Sequence, residues 1–340
     1  MYIFIGLLII AIGAFCQSSS YVPINKVREW SWESYWIVQG VFAWLVFPLL
    51  GALLSLSGTG GSFGDLLAMM QADPRATWLT IVFGALWGVG GLTFGLSMRY
   101  LGVALGQSLA LGTCSALGAI LGPVFTGHAH DLTSSVIIGV VVTLIGIAII
   151  GIAGAMKAAA LPEDERRKAV KDFNFGKGIF VALLAGFMSA CFNIGLSFGQ
   201  DLYLPGTRGI FQSLPATMLV TFGGFLTNAC YCLYQNSKNK TFGDYKQGSL
   251  WGNNLLFCCL AGLLWYSQFF GLSLGKGFLT NFPVLLTFSW CILMSLNVIF
   301  SNVWGIILKE WKGCSKKTIT VLLCGLAVLI FSIFLPQLIG

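Results

Sequence analysis

Long apolar stretches separated by short polar joints run from one end of the chain to the other, without the two-residue alternation of half-buried strands. A helix rises about 1.5 Å per residue, so roughly 20 apolar residues cross about 30 Å of hydrocarbon. Ten stretches meet that length: Met1 to Ser19, Tyr35 to Leu56, Trp78 to Ser97, Leu101 to Phe125, Ser134 to Met156, Gly178 to Phe198, Gly209 to Tyr234, Leu250 to Ser273, Pro283 to Leu308 and Thr318 to Leu338. They are apolar on every side, which excludes a transmembrane β-barrel with its short alternating strands. The pattern predicts an all-α polytopic membrane protein of ten transmembrane helices. Met1-Tyr2-Ile3-Phe4-Ile5 lacks the basic segment of a cleavable signal, so the first stretch is read as a retained span.

Composition agrees. Hydrophobic residues make up 56% of the 340, with 43 Gly besides, and only 9% are charged, against about 25% in a soluble chain. A soluble enzyme, a nucleic-acid binder and a disulfide-stapled secreted domain are therefore excluded. The ten Cys are scattered without metal-ligand spacing and are read as buried thiols. The net charge of +7 is a topology signal. Joints after odd-numbered spans hold 16 of the 19 Lys and Arg, leaving Arg75, Arg208 and Lys276 on the other side. By the rule that basic residues stay in the cytoplasm, both termini lie outside and the loop Lys157 to Lys177 lies inside.

Compared at an offset of 176 residues, the first and sixth spans share Ile3/Ile179, Phe4/Phe180, Leu7/Leu183, Leu8/Leu184 and Ala14/Ala190, with amides opposed at Gln17/Asn193. Phe94-Gly95-Leu96-Ser97 recurs as Phe270-Gly271-Leu272-Ser273 at the same offset. The expected organisation is a five-helix repeat over 1–156, a cytoplasmic linker over 157–177 and a second five-helix repeat over 178–340. Five is odd, so the second repeat enters the membrane inverted, an arrangement characteristic of secondary transporters with a midplane substrate site. Gly84, Gly88, Gly91 and Gly95, and less regularly Gly102, Gly106 and Gly118, are spaced for close helix contact. Pro215 and Pro283 are candidate breaks in spans seven and nine.

No span carries an ionisable residue near its centre, which argues against a buried carboxylate relay. Glu33, in Trp30-Ser31-Trp32-Glu33, starts span two beside indoles that would lower the local dielectric and favour its neutral form; it is the candidate proton-coupling site. Asp201 is a weaker one. Neutral polar groups include Gln17, Gln39, Gln107, Asn193, Asn228, Tyr266 and Gln268. Amides for hydroxyls and the faces of Trp87, Trp265 and Tyr266 for C–H surfaces suit a small polyhydroxylated solute. Gln17, Trp87, Gln107, Asn193, Trp265, Tyr266 and Gln268 are thus the substrate-binding candidates. The histidines of Gly127-His128-Ala129-His130-Asp131 are read as solvated loop residues, and no catalytic constellation, metal site or organic cofactor is expected.

The chain also resembles a known family, the bacterial L-rhamnose/proton symporters of the drug/metabolite transporter superfamily. The resemblance rests on Lys26-Val27-Arg28-Glu29-Trp30-Ser31-Trp32-Glu33, Phe83-Gly84-Ala85-Leu86-Trp87-Gly88-Val89-Gly90, Ser97-Met98-Arg99-Tyr100-Leu101-Gly102, Leu264-Trp265-Tyr266-Ser267-Gln268-Phe269-Phe270 and Leu308-Lys309-Glu310-Trp311. It implies two inverted five-helix repeats in the bacterial inner membrane and uptake of a deoxy sugar with a proton as coupling ion. Glu33, Trp87, Arg99, Trp265, Tyr266 and Gln268 are the family-like positions, Arg99 as a cytoplasmic anchor or gate. The sequence departs from the family pattern at Gly91-Leu92-Thr93 and through spans six and seven. Export of a metabolite, or a scaffold or sensor without transport, are the alternatives, since fold alone fixes neither direction nor cargo.

Overall fold

The computed structural model describes residues 1–56, 61–101, 103–160, 175–204, 207 and 209–340. Ten helices are long and apolar enough to cross a membrane, and no strand occurs among the described residues. They are α1 (Tyr2–Ser18), α2 (Trp32–Leu56), α3 (Pro74–Leu101), α4 (Val103–Phe125), α5 (Ser134–Ala159), α6 (Phe175–Phe198), α7 (Leu214–Asn239), α8 (Gly248–Leu279), α9 (Pro283–Ile307) and α10 (Lys316–Ile339). The all-α, ten-span reading holds. Of the 157–177 linker, residues 161–174 lie outside the described residues.

Pro215 and Pro283 do not interrupt spans. Both sit in the first turn, Pro215 next to the start of α7 and Pro283 at the first residue of α9, where a missing N–H removes no intrahelical bond and the fixed φ suits helix entry. The interruption falls in α2, whose segment Val41–Val46 is π-helical. Pro48 follows it. A proline there cannot donate to the Trp44 carbonyl four residues back, and a loosened turn is the usual response.

Side-chain placement is that of a protein solvated by lipid. On α1, Phe4, Leu8, Ile12 and Phe15 face outward, while Gly6, Ile10, Gly13 and Ala14 face inward. The outer stripe follows helical spacing but is wholly apolar, because hydrocarbon asks for no polar face.

Contacts divide the chain into two units, Met1–Gly88 with Gly195–Phe278, and Val89–Ile194 with Leu279–Gly340. In the first, missing side chains let backbones meet. A Cβ on Gly13 would stand 2.6 Å from the Ser267 carbonyl oxygen, joining α1 to α8, and Gly84 and Gly223 face the Val220 and Ile81 carbonyls across the α3–α7 crossing. Gly91 and Gly95, which continue the same spacing, meet nothing within 4 Å, so only the first half of that stripe is a packing surface. The short helix Phe63–Ala72, closed by a reciprocal Ser62–Asp65 cap, buries Leu66 and Met69 against Ala52, Leu56, Leu202 and Leu219.

In the second unit, Thr143 of α5 donates to Ser332 of α10 at 3.1 Å. α4 meets α9 where the Trp290 indole donates to the Cys114 carbonyl at 3.2 Å and the Ser115 hydroxyl to Cys291 Sγ at 3.4 Å. Buried bonds of this kind contribute about 1 kcal/mol each in membrane proteins.

Candidate functional site

The first unit encloses a cluster of indoles. Trp44, on the π-helical turn of α2, is 3% exposed. Its ring centroid lies 5.7 Å from Trp36, one span-half earlier on α2, 6.0 Å from Trp87 of α3 and 5.8 Å from Trp265 of α8, in each case edge to face. Trp87 and Trp265 are 5.7 Å apart and inclined by 34°. Phe269, one turn on from Trp265, extends the cluster with centroids 5.1 Å apart. Trp87 passes over α7 at Gly224, where any side chain would occupy the space of the ring. Tryptophans usually gather at the two membrane surfaces; these lie well inside α2, α3 and α8.

Hydrogen-bond accounting separates two kinds of polar group here. Asn228 of α7 is satisfied: its Oδ1 accepts from Trp36 Nε1 at 3.1 Å, and its Nδ2 donates to the Gly224 carbonyl at 2.9 Å. In contrast, Trp44 Nε1, Gln39 Oε1 and the Tyr266 hydroxyl are buried and have no partner among the described residues. The Tyr266 hydroxyl abuts Gly51, one further place where a Cβ would collide. An unmade buried hydrogen bond costs about 1–3 kcal/mol. These are three of the six such groups in this unit, two of them on α2, and each is a group that a hydroxyl-bearing molecule could complete.

Glu33 opens a second polar cluster at the start of α2. Its Oε1 accepts from Asn239 Nδ2 at 2.9 Å and from Thr241 Oγ1 at 2.8 Å. The same Thr241 hydroxyl lies 2.8 Å from Asn236 Oδ1, so its single proton is shared between the two acceptors, and Asn236 Oδ1 also accepts from the Ser34 hydroxyl at 2.9 Å. Asp244 Oδ2 receives the Ser31 amide and hydroxyl at 2.8 and 2.7 Å, supplying from another element the partners that a helix start needs. Asn254 accepts from the Arg28 amide and donates to its carbonyl, at 3.0 and 2.9 Å. The segment 26–34 is thereby tied to α7, to the turn Thr241–Lys246 and to α8.

The indoles beside Glu33 in sequence are not its surroundings. Trp32 stacks on Trp36 with centroids 5.4 Å apart, and Trp30 packs edge-on against Tyr245 and Trp251. Each residue in a helical turn is rotated about 100° from the last, so sequence neighbours face different ways. The carboxylate sits among amide and hydroxyl donors.

Of the substrate-binding candidates, Trp87 and Trp265 belong to the indole cluster, and Tyr266, next on α8, sets its hydroxyl against Gly51 of α2. Gln268 is buried where α8 meets α1 at Gly13. Gln17 is half-buried and accepts from its neighbour Ser18 at 3.5 Å. Gln107 and Asn193 belong to the second unit, in which Asn193 Nδ2 donates to the Gly118 carbonyl at 2.7 Å and so joins α6 to α4. The side chain of Arg99 lies outside the described residues. Trp36 and Trp44 went unselected in the sequence, although a tryptophan eight residues further into the span than Trp36, remote from either surface, was a legible signal.

Ten membrane-crossing helices, with buried indoles and unpartnered hydrogen-bonding groups in the first unit, are the features of a polytopic carrier for a small polar solute. The family model described as L-rhamnose-proton symport protein matches residues 1–338. The chain belongs to that family. The L-rhamnose-proton symporter of Yersinia pestis (strain Pestoides F) is 32% identical over 349 aligned positions, covering 97% of this chain and 96% of its own. That of Cronobacter sakazakii (strain ATCC BAA-894) is 33% identical over 346, covering 96% and 94%.

Proposed function

We propose that the protein takes up L-rhamnose, or a closely similar deoxy sugar, together with a proton across the bacterial inner membrane. The observation that carries this reading is the Trp44 cluster. The half-buried faces of Trp87 and Trp265 suit the C–H surface and methyl group of a 6-deoxyhexose. Its hydroxyls supply the partners that Trp44 Nε1, Gln39 Oε1 and the Tyr266 hydroxyl lack. Gln17 and Gln268, in the same unit, act as a supporting polar frame; Gln107 and Asn193 act as polar groups within the second unit, and Arg99 as an anchor at the cytoplasmic face.

Glu33 is the coupling group in this proposal. Neutralising its carboxyl weakens both charge-assisted bonds it accepts, and those bonds run into Asn236 and Ser34, along the seam of α2 and α7. Eight residues up the same face of α7 from Asn236 stands Asn228, which holds Trp36. Proton binding at the start of α2 and sugar binding at its π-helical turn thus act on one helix pair.

Two inverted repeats, 1–156 and 178–340 joined by a cytoplasmic linker, with both termini outside, complete the scheme. Four contacts support duplication. Ser115 meets Cys291 and Cys114 meets Trp290 across a separation of 176 residues, as expected where equivalent residues lie near a two-fold axis. Gly13 on Ser267 is paralleled by Gly90 on Ser189: Ser189 is the residue one offset after Gly13, and Gly90 adjoins Gly91, the residue one offset before Ser267.

The test is radiolabelled L-rhamnose uptake into proteoliposomes with an imposed pH gradient. The wild type concentrates the sugar; Glu33→Gln loses concentration against a gradient yet retains sugar exchange. Concentrative uptake unchanged in Glu33→Gln removes that residue from coupling, and no uptake by the wild type removes the proposal.

A further inference from the structure

We propose that the joint between α9 and α10 binds one anionic glycerophospholipid, with the lipid phosphate on Lys309 and Lys312 and an acyl chain along α10. This site lies wholly in the second unit and is independent of the sugar site.

A cavity of about 360 Å³ opens there. Lys309, Trp311 and Lys312 form its rim, and Ile319, Leu322 and Leu323 its floor. Both lysines are exposed, and no ion pair of either is found among the described residues. The Glu310 carboxylate, between them in sequence, lies beside Gly305 and the Trp311 indole N–H and does not line the cavity, whose charged lining residues are the two lysines. The backbone is held for this purpose at Lys309, whose φ of 60° is uncommon for a residue with a side chain, and at Gly313, with φ 86°. Lys157, at the end of α5, sets its ammonium 4.7 Å from the centre of the Trp311 ring. That contact fixes the indole as one wall and brings a third cation to the site.

The floor continues outward. Leu323, Ile330 and Phe334 are about half exposed and spaced for one face of α10. The arrangement therefore presents cations at the helix ends, an indole at the boundary and an apolar groove running toward the hydrocarbon. A phosphodiester with an attached acyl chain matches all three parts; free phosphate or an acidic soluble protein would use the cations alone. Basic pockets between membrane helices at the lysine-rich side are where anionic headgroups settle.

Native mass spectrometry of the purified protein, with phosphatidylglycerol added stepwise and phosphatidylcholine and inorganic phosphate as parallel probes, tests this. The wild type retains one phosphatidylglycerol, and Lys309→Gln/Lys312→Gln weakens retention about thirtyfold, from about 1 kcal/mol per cation near the surface. Lys316→Gln/Lys317→Gln, which removes equal charge beside the cavity, leaves retention nearly intact. Leu323→Gln weakens it with the rim unchanged. Equal losses in the two lysine pairs would reduce the effect to general charge and overturn the site. So would equal binding of phosphatidylcholine, or displacement of the lipid by inorganic phosphate. Matching melting curves for all variants guard against misfolding.

Discussion

Trp44→Phe separates the cost of an unpartnered donor from the benefit it gives a ligand. In the sugar-free protein the Trp44 N–H is buried without an acceptor, a penalty of about 1–3 kcal/mol. Phenylalanine removes that donor and keeps an aromatic ring against Trp36, Trp87 and Trp265. The smaller ring loses transfer energy and leaves a gap, together about 1–2 kcal/mol. The two terms oppose each other, so the variant should unfold within about 1 kcal/mol of the wild type. Sugar binding has no such offset: a ligand hydroxyl that lost its partner inside the site would cost about 1–3 kcal/mol, a five- to 150-fold weaker affinity. Thermal unfolding with and without L-rhamnose, and KM in proteoliposomes, read both quantities. A variant with near-normal stability, a reduced sugar-induced shift and a raised KM is the expected result. Unchanged KM would mean that the N–H is a packing defect with no ligand, and a large loss of stability would mean that it was never unpartnered.

Other consequences follow from the same geometry. Burial alone would raise the Asp244 carboxyl, but the Ser31 amide and hydroxyl, with the Ser34 hydroxyl, outweigh it and hold the group below its usual range. The stabilisation is therefore complete above the unfolded value of about 3.9 and fades as pH falls through the lower folded one. The stability difference between wild type and Asp244→Asn should be level above about pH 5 and shrink below about pH 4; a difference that stays constant to pH 2.5 contradicts the linkage. Gly223→Val drives a side chain into the Ile81 carbonyl, with the Ala85 amide 2.7 Å from its Cβ. It should destabilise by about 1–3 kcal/mol, whereas Gly95→Ala, with open space at its Cβ, should melt like the wild type.

The ten spans were legible because hydrocarbon imposes a single demand, length without charge, that each stretch meets independently of the others. Helix ends were less so. The second span starts at Trp32 rather than Tyr35, and the seventh continues to Asn239 past Tyr234, because polar residues extend a helix into the interface wherever tertiary partners satisfy them. Asn236 and Asn239 do this through Ser34, Thr241 and Glu33. The π-helical turn of α2 was hidden for a related reason. Pro48 announces a missing hydrogen bond, but whether the chain answers with a kink, a break or an added residue per turn depends on what packs around Trp44.

The site shows most clearly where reasoning from residue type stops. An amide in a lipid-spanning helix must face protein or water, and that rule selects Asn193, Asn228 and Gln39 alike. It cannot distinguish an amide whose bonds are already made from one whose bonds await a ligand, because the partners are backbone carbonyls that every sequence contains. Asn228 takes up the Gly224 carbonyl of its own helix with its Nδ2 and the Trp36 indole with its Oδ1. Gln39 finds no such partner for its Oε1. The same division applies to the indoles, since Trp36 is held by Asn228 while Trp44 has its N–H free. Ligand contacts are thus picked out by what the fold leaves unpaired, and α2 carries two such groups, Gln39 just before its loosened turn and Trp44 within it.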